Sequence, residues 1–570
     1  MKIFYDKKYR IPACFFLLLL LCANLLYWGS RKEGFFCDEL YSYHFTHNVS
    51  NPYLVEEQEG ETWLNNWHSS AFFRDYLTLD SEERFDISGV WNAIEADVHP
   101  PLFYLFLELS SSVFSTVFPG IFTKWSGIFV NIAFFILTIF FLWKLSKELT
   151  ESDFWSAAVC VLYGFSAGAV STVVFIRMYM VFTCLAVLFT LLNALLWKSL
   201  WNEEGKGKKW LFPALSVTTI LGILTQYYFL IYAFLICVVI WVCAMLKRRW
   251  AFMLQYTGAM AAGLAGSCLI WPDMLVDIFD GYRGAEAFAN LAAGGSVTEA
   301  FAEFLDILNG ELFGKGAVLL LVFVLLLLAG RFLSSWWRME KYMDKDKSVH
   351  ILFRKKTPPQ KLELRFTVQD FIWVHVLFAV VFYIIFMSKI APYREDRYIF
   401  PVFPLIVLLA AFLIGKLVSG MPGQISAAAV MLLSACMLAG YLFPGVHYLY
   451  QGTGNKLETV SLYSNLPTFY VTSGSSYRAC GESVYFSMAE CTYPVSGSEI
   501  HTIPEALAGL AGEEDIRADI ADENITRCLF YIDLIYEDRE LLVQQIAQLF
   551  PGEEMRFLFD TEYSAVYILE

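Results

Sequence analysis

The chain has 570 residues, 57% of them hydrophobic and only 17% charged, with a mean hydropathy of +0.50. Soluble globular chains carry about 25% charged residues, so a soluble fold is the first class excluded. The net charge of −15 is uneven: residues 445–570 hold six Lys/Arg against twenty Asp/Glu, which argues against nucleic acid as a partner.

At the N-terminus, Lys2, Lys7, Lys8 and Arg10 precede an apolar run with no small-residue cleavage site after Trp28, so residues 11–28 read as an uncleaved first span. Further apolar runs lie at 124–143, 154–174, 178–197, 210–224, 227–246, 251–271, 316–334, 370–388, 398–417 and 425–443, giving eleven expected spans. Each is close to the length that crosses a core of about 30 Å at about 1.5 Å per residue. The block Trp210–Leu246 is too long for one helix and is expected to turn at Gln226-Tyr227-Tyr228.

In the loop 29–123, the stretches NNWHSSAFFRDYLTL and ISGVWNAIEADV are apolar on one side, as expected of helices lying on the bilayer. The next stretch, HPPLFYLFLELSSSVF from His99, is nearly long enough to cross but carries two prolines and Glu108. Keeping it outside places Lys144/Lys147, Lys198/Lys206/Lys208/Lys209, Lys247/Arg248/Arg249 and the basic stretch 331–365 on the cytoplasmic side, as positive charges near span ends favour. It is therefore read as a juxtamembrane amphipathic helix. The N-terminus is then cytoplasmic, and the loop 29–123, the loop 272–315, the YREDRY segment and the tail are extracytoplasmic.

The tail, 446–570, reads as a small acidic α/β domain after a membrane domain 1–445. PTFYVT, SEIHTI, RCLFYIDLI, MRFLF and SAVYIL look like strands, and PEALAGLAG and DRELLVQQIAQLF look helical. The twelve cysteines show no CxxC or Cys/His metal spacing. Only Cys480, Cys491 and Cys528 lie in the tail, where one pair could bridge; buried free thiols are the plainer reading.

Four segments hold chemistry. Asp38-Glu39 follow the first span, where a charged pair costs desolvation unless something uses it, the alternative being a solvated loop start. In Asp97-Val98-His99-Pro100-Pro101, paired prolines fix the backbone at a helix start and hold His99 there, able to donate to a phosphate, pair with a carboxylate or bind metal. Arg177-Met178-Tyr179 and Tyr393-Arg394-Glu395-Asp396-Arg397-Tyr398 put guanidinium groups at a membrane edge, where they either anchor helices or grip phosphate bidentately.

Taken in order, Asp38-Glu39, HPPLFYL, RMY, TQYYF and REDRYIFPVFPL resemble the integral-membrane glycosyltransferases of the protein-mannosyltransferase and aminoarabinose-transferase type, over roughly residues 1–445. The resemblance implies the GT-C fold: an all-α polytopic bundle of about eleven transmembrane helices plus juxtamembrane helices, here with a C-terminal extracytoplasmic α/β domain. It implies a polyprenyl-phosphate-linked sugar as donor, an unidentified extracytoplasmic acceptor and membrane lipid as partners. The absence of a P-loop or dinucleotide fingerprint fits a site turned away from cytoplasmic nucleotide sugars. Two departures stand out: Gln226-Tyr227-Tyr228 replaces a turn where many relatives carry His, and the Trp-Trp-Asp signature of oligosaccharyltransferases is absent.

The resemblance also implies roles. Asp38 is the general base or the carboxylate that orients the acceptor, and Glu39 holds its geometry or joins a metal site. Arg177, Arg394 and Arg397 hold the lipid phosphate, His99 assists there or ligates a metal, and Tyr179, Gln226, Tyr227 and Tyr398 contact substrate. The family is mixed on metal use; carboxylates with His99 are compatible with a divalent cation, and no cofactor is assigned. The alternative is a transporter or lipid-linked-sugar flippase, which would place ionisable residues within the spans rather than at their outer edge.

Overall fold

The structure, a computed structural model, describes every residue except 1–6, 55–62, 202–208, 294–295, 344–348, 356–366, 420, 422 and 511–526. Lys206, Lys208 and most of the basic stretch after Lys355 lie outside the described residues. Two compact units emerge. One is Met1–Leu25, Ile132–Val173 and Met178–Val446; the other is Leu26–Asn131, Val174–Arg177 and His447–Glu570.

The first unit is built from apolar helices. Among the described residues, seven helices are long and apolar enough to cross a membrane, or up to nine if each of two bent pairs counts as one span. The pairs are Asp153–Gly164 with Ala167–Val174, bent by 58°, and Val297–Phe313 with Ala317–Leu333, bent by 79°. The second bend turns at Gly314, whose φ of +52° is a left-handed conformation that closes a helix without a Cβ clash. Two of the eleven expected spans, 210–224 and 425–443, are present as the shorter helices Leu211–Ile223 and Gly423–Ala439. Inside the bundle, His375 accepts from Trp197 Nε1 at 2.6 Å and its other ring nitrogen lies 2.8 Å from the Ile236 carbonyl.

The second unit centres on a six-stranded sheet of β1 (His68–Ser69), β2 (Thr468–Thr472), β3 (Cys491–Ser496), β4 (Cys528–Asp533), β5 (Met555–Asp560) and β6 (Ser564–Leu569), in the order β1-β3-β2-β4-β6-β5. Strands β3, β2 and β4 are parallel, in register at Phe469↔Tyr493 and Phe469↔Phe530; the other pairings are antiparallel. Alternation along β2 sends Phe469 and Val471 to one face and Tyr470 to the other. The expected strand at SEIHTI is a 3-10 turn, Ile500–Thr502, and Cys491–Ser496 takes its place. Pro494 is tolerated in that strand because β1 pairs only with Cys491 and Thr492, so the sheet is locally an edge at the proline.

β1 comes from the first loop. The segments expected to lie on the bilayer instead complete this domain: Trp63, Phe73 and Tyr76 pack with Tyr470, Phe486 and Tyr531 against one face of the sheet. Their short helices are capped by side chains, Ser69 accepting from Phe72 N and Asp86 from Gly89 N. Three helices of this unit position its polar residues: α1 (Cys37–His47), α2 (Leu102–Val117) and α3 (Ser476–Phe486). α1 packs against both α2 and α3, and Tyr41 OH lies 2.9 Å from Ser476 Oγ.

Candidate active site

Asp38 and Glu39 occupy the first turn of α1, where the helix dipole favours negative charge. Glu39 has no exposed surface, and its oxygens accept from Lys32 Nζ at 2.9 Å, Phe36 N at 2.7 Å and Ile176 N at 2.7 Å. Lys32 is equally buried and also donates to the Tyr448 carbonyl at 2.7 Å. Burial pushes the Glu39 carboxyl up and the Lys32 ammonium down, while each one's charge opposes the other's shift. With three N–H donors on its oxygens, Glu39 is placed to hold α1.

Asp38 is half-buried beside it. Arg177 reaches the same turn because the segment 174–177 lies very close to the helix Trp125–Thr150. A Cβ on Gly127 would fall 2.1 Å from Ile176 Cγ2, and Asn131 Nδ2 donates to the Phe175 carbonyl at 2.7 Å. Arg177 Nη1 donates to the Asp38 carbonyl at 3.1 Å, Ser42 Oγ at 2.9 Å and Tyr104 OH at 3.1 Å. Tyr104 OH is in turn 3.4 Å from Asp97 Oδ2, which lies 2.8 Å from His99 Nδ1. Burial works to raise the Asp97 carboxyl, but His99 and then Arg177 outweigh it and hold it below its usual range. Asp38, Arg177 and His99 thus belong to one hydrogen-bonded cluster. Its buried members are Ser42, Arg177 and Tyr104, while the His99 side chain keeps 23% of its surface exposed.

The remaining candidates lie in the first unit. The Tyr398 ring stands edge-on to Tyr179 at 6.4 Å and to Tyr228 at 5.9 Å, and the Arg397 guanidinium lies over Tyr398 at 5.4 Å. Arg397 Nε is 2.9 Å from Glu395 Oε2. Gln226 and Tyr227 form the expected turn, Tyr227 OH donating to Asp277 Oδ2 at 2.5 Å. Arg394 is half-exposed and bridged to Glu303 at 2.6 Å.

No family model matches the sequence, and no curated protein matches it. Among solved structures, the chain is similar to an ArnT from Cupriavidus metallidurans bound to undecaprenyl phosphate, at 11% identity, with 96% of this chain and 97% of that one covered and a TM-score of 0.47. The apo ArnT of the same organism gives 11% identity, 98% of each chain and a TM-score of 0.47. An oligosaccharyltransferase from Archaeoglobus fulgidus in complex with Zn and sulfate gives 11% identity, 94% of this chain, 69% of that one and a TM-score of 0.42.

Several members of these clusters carry no signal of their own in the sequence. Lys32 sits in an ordinary Arg-Lys-Glu loop, and only burial shows that it neutralises Glu39. Ser42 lies close to Asp38-Glu39 and Tyr104 within HPPLFYL, and both look like helix surface until Arg177 is placed. Arg283 joins the tyrosines of the first unit, its guanidinium 5.8 Å from the Tyr393 ring, from a loop with no motif.

Proposed function

We propose that the chain is a membrane glycosyltransferase that moves a sugar from a polyprenyl-phosphate donor to an extracytoplasmic acceptor. The observation that carries this reading is the single cluster of Asp38, Arg177, Tyr104, Asp97 and His99, which ties the main chain of the half-buried Asp38 to a guanidinium and, through Tyr104 and Asp97, to an imidazole. Glycosyl transfer from a phosphate needs a base on the acceptor and positive charge where the phosphate departs.

In this reading the acceptor hydroxyl attacks the sugar C1, its proton passes to the Asp38 carboxylate, and the bond between C1 and the phosphate oxygen breaks. The lipid phosphate leaves with the bonding electrons. His99, its Nδ1 held by Asp97, presents Nε2 to that phosphate, and Arg177 adds charge while fixing the Asp38 turn. Glu39 is a positioning residue, pinned by Lys32. Arg397, with Tyr179 and Tyr398, is a second phosphate-contact candidate in the first unit, together with Arg394; Gln226 and Tyr227 are assigned to substrate contact beside them. The N-terminus is cytoplasmic and the second unit extracytoplasmic.

Purified protein incubated with a panel of defined polyprenyl-phosphate sugars and envelope-derived acceptors tests this directly. Mass spectrometry should detect free polyprenyl phosphate from wild type, and Asp38→Asn should lower its release by about 10²- to 10⁴-fold, the usual worth of a general base. Undiminished turnover by a correctly inserted Asp38→Asn protein overturns the assignment.

A further inference from the structure

Two thiols of the second unit meet where α1 docks on α3. Cys37 opens α1 and Cys480 lies within α3, 443 positions later, and neither has any exposed surface. Cys37 Sγ donates to the Tyr477 carbonyl at 2.9 Å, one turn before Cys480, and Cys480 Sγ lies 3.9 Å from the Cys37 carbonyl. His44, further along α1, brings Nδ1 to 3.7 Å from Cys480 Sγ. Leu40, Leu77 and Tyr563 close the cluster.

A structural cysteine is ordinarily a small hydrophobe among apolar neighbours. Here an imidazole flanks a thiol that lies against the main chain of a second cysteine, an arrangement that suits exchange chemistry. Burial opposes ionisation of Cys480, but the Cys37 thiol and His44 outweigh it and hold the thiol at about 6, whereas burial and then Cys480 push Cys37 up.

We propose that Cys37 and Cys480 are joined as a disulfide in the exported chain, tying the N-terminus of α1, and with it the Asp38 turn, to the tail. This rests on the extracytoplasmic placement of the second unit, since disulfides persist in oxidising compartments. The oxidant is the disulfide of an exported thiol–disulfide oxidoreductase. The Cys480 thiolate attacks that disulfide, forming a mixed disulfide and releasing one thiolate. Cys37 loses its proton to that thiolate and attacks the Cys480 sulfur, expelling the second thiolate, which takes up a proton from water. Two thiols are oxidised and one external disulfide is reduced to two thiols. Exchange precedes the closing of α1 on α3, because the closed structure leaves neither sulfur accessible.

The test uses the full chain in its native cells, quenched in acid, denatured and blocked with N-ethylmaleimide without reductant. Mass spectrometry of the digest is expected to show a Cys37–Cys480 peptide pair that disappears on reduction, and a maleimide-labelled Cys480 in Cys37→Ala. Maleimide on both residues of the wild-type chain overturns the bridge, and that readout needs no variant to fold. A membrane-impermeant maleimide on the exposed Ser81→Cys separates the causes. Labelling from outside together with two free native thiols refutes the bridge alone; no labelling from outside refutes the orientation, and the bridge with it.

Discussion

Replacing Lys32 with methionine removes one half of a fully buried ion pair while keeping the length of the side chain. Both partners have no exposed surface, so solvent does not screen the loss. Glu39 would keep its bonds from Phe36 N and Ile176 N but lose its paired cation, and the Tyr448 carbonyl would lose its donor. Removing one partner of such a pair costs about 3–5 kcal/mol, because a charge is left behind without compensation. For a folding unit of roughly this size, 1 kcal/mol moves Tm by about 2–4 °C, so the expected drop is roughly 6–20 °C. Glu39→Gln added to Lys32→Met should recover a large part of that drop, since the neutral pair carries no unmet charge. The assay is thermal unfolding of the full chain in detergent, followed by intrinsic tryptophan emission across the double-mutant cycle. A Lys32→Met protein that melts within about 2 °C of wild type, or a double variant less stable than either single one, refutes the reasoning.

Arg177→Lys keeps the charge but not the fork that meets Asp38, Ser42 and Tyr104 together; because small displacements at a reacting centre cost about 10²-fold, release of lipid phosphate should fall by at least that much while insertion is unchanged. Burial holds the His47 ring down at about 3 from an ordinary value of 6.5, so its contribution to stability is present above 6.5 and is lost as pH falls. Between pH 7.5 and 5 the wild type should lose about 2 kcal/mol that His47→Gln does not, and parallel pH–stability curves would count against this. Glu482 has the opposite sign: burial lifts it from 4.5 to about 7, so its contribution is complete below 4.5 and fades as pH rises through 7. Between pH 5.5 and 8 the wild type should lose about 2 kcal/mol that Glu482→Gln retains, read from urea unfolding at the two pH values. Impermeant maleimide should reach Ser81→Cys but not Arg248→Cys in intact cells; the reverse pattern means that the chain is inserted the other way round.

The membrane helices were legible because each apolar run satisfies a length requirement that no other structure meets in lipid. The helix Val297–Phe313 escaped because its four acids break up the apolar run along the sequence, and its continuation beyond Gly314 is what makes it half of a bent pair. In the candidate site, Asp38, His99 and Arg177 could be picked out from motif order, since their chemistry is written in residue type. Lys32 could not, because a buried lysine and a solvated one are spelled alike. The first-loop aromatics misled for a related reason: an apolar face shows that something covers it, not whether the cover is lipid or a sheet from the far end of the chain.

The borrowed strand β1 sets a schedule for biogenesis. The ribosome delivers His68 and Ser69 long before Cys491 and Thr492, so the first loop emerges with Trp63, Phe73 and Tyr76 lacking their partners through the synthesis of most of the bundle. Until the final segment arrives, that sticky surface needs a chaperone or the bilayer itself as a temporary host. Cutting the chain near Gly452 would therefore not yield a simpler protein; it would strand the loop in its nascent, unfinished condition.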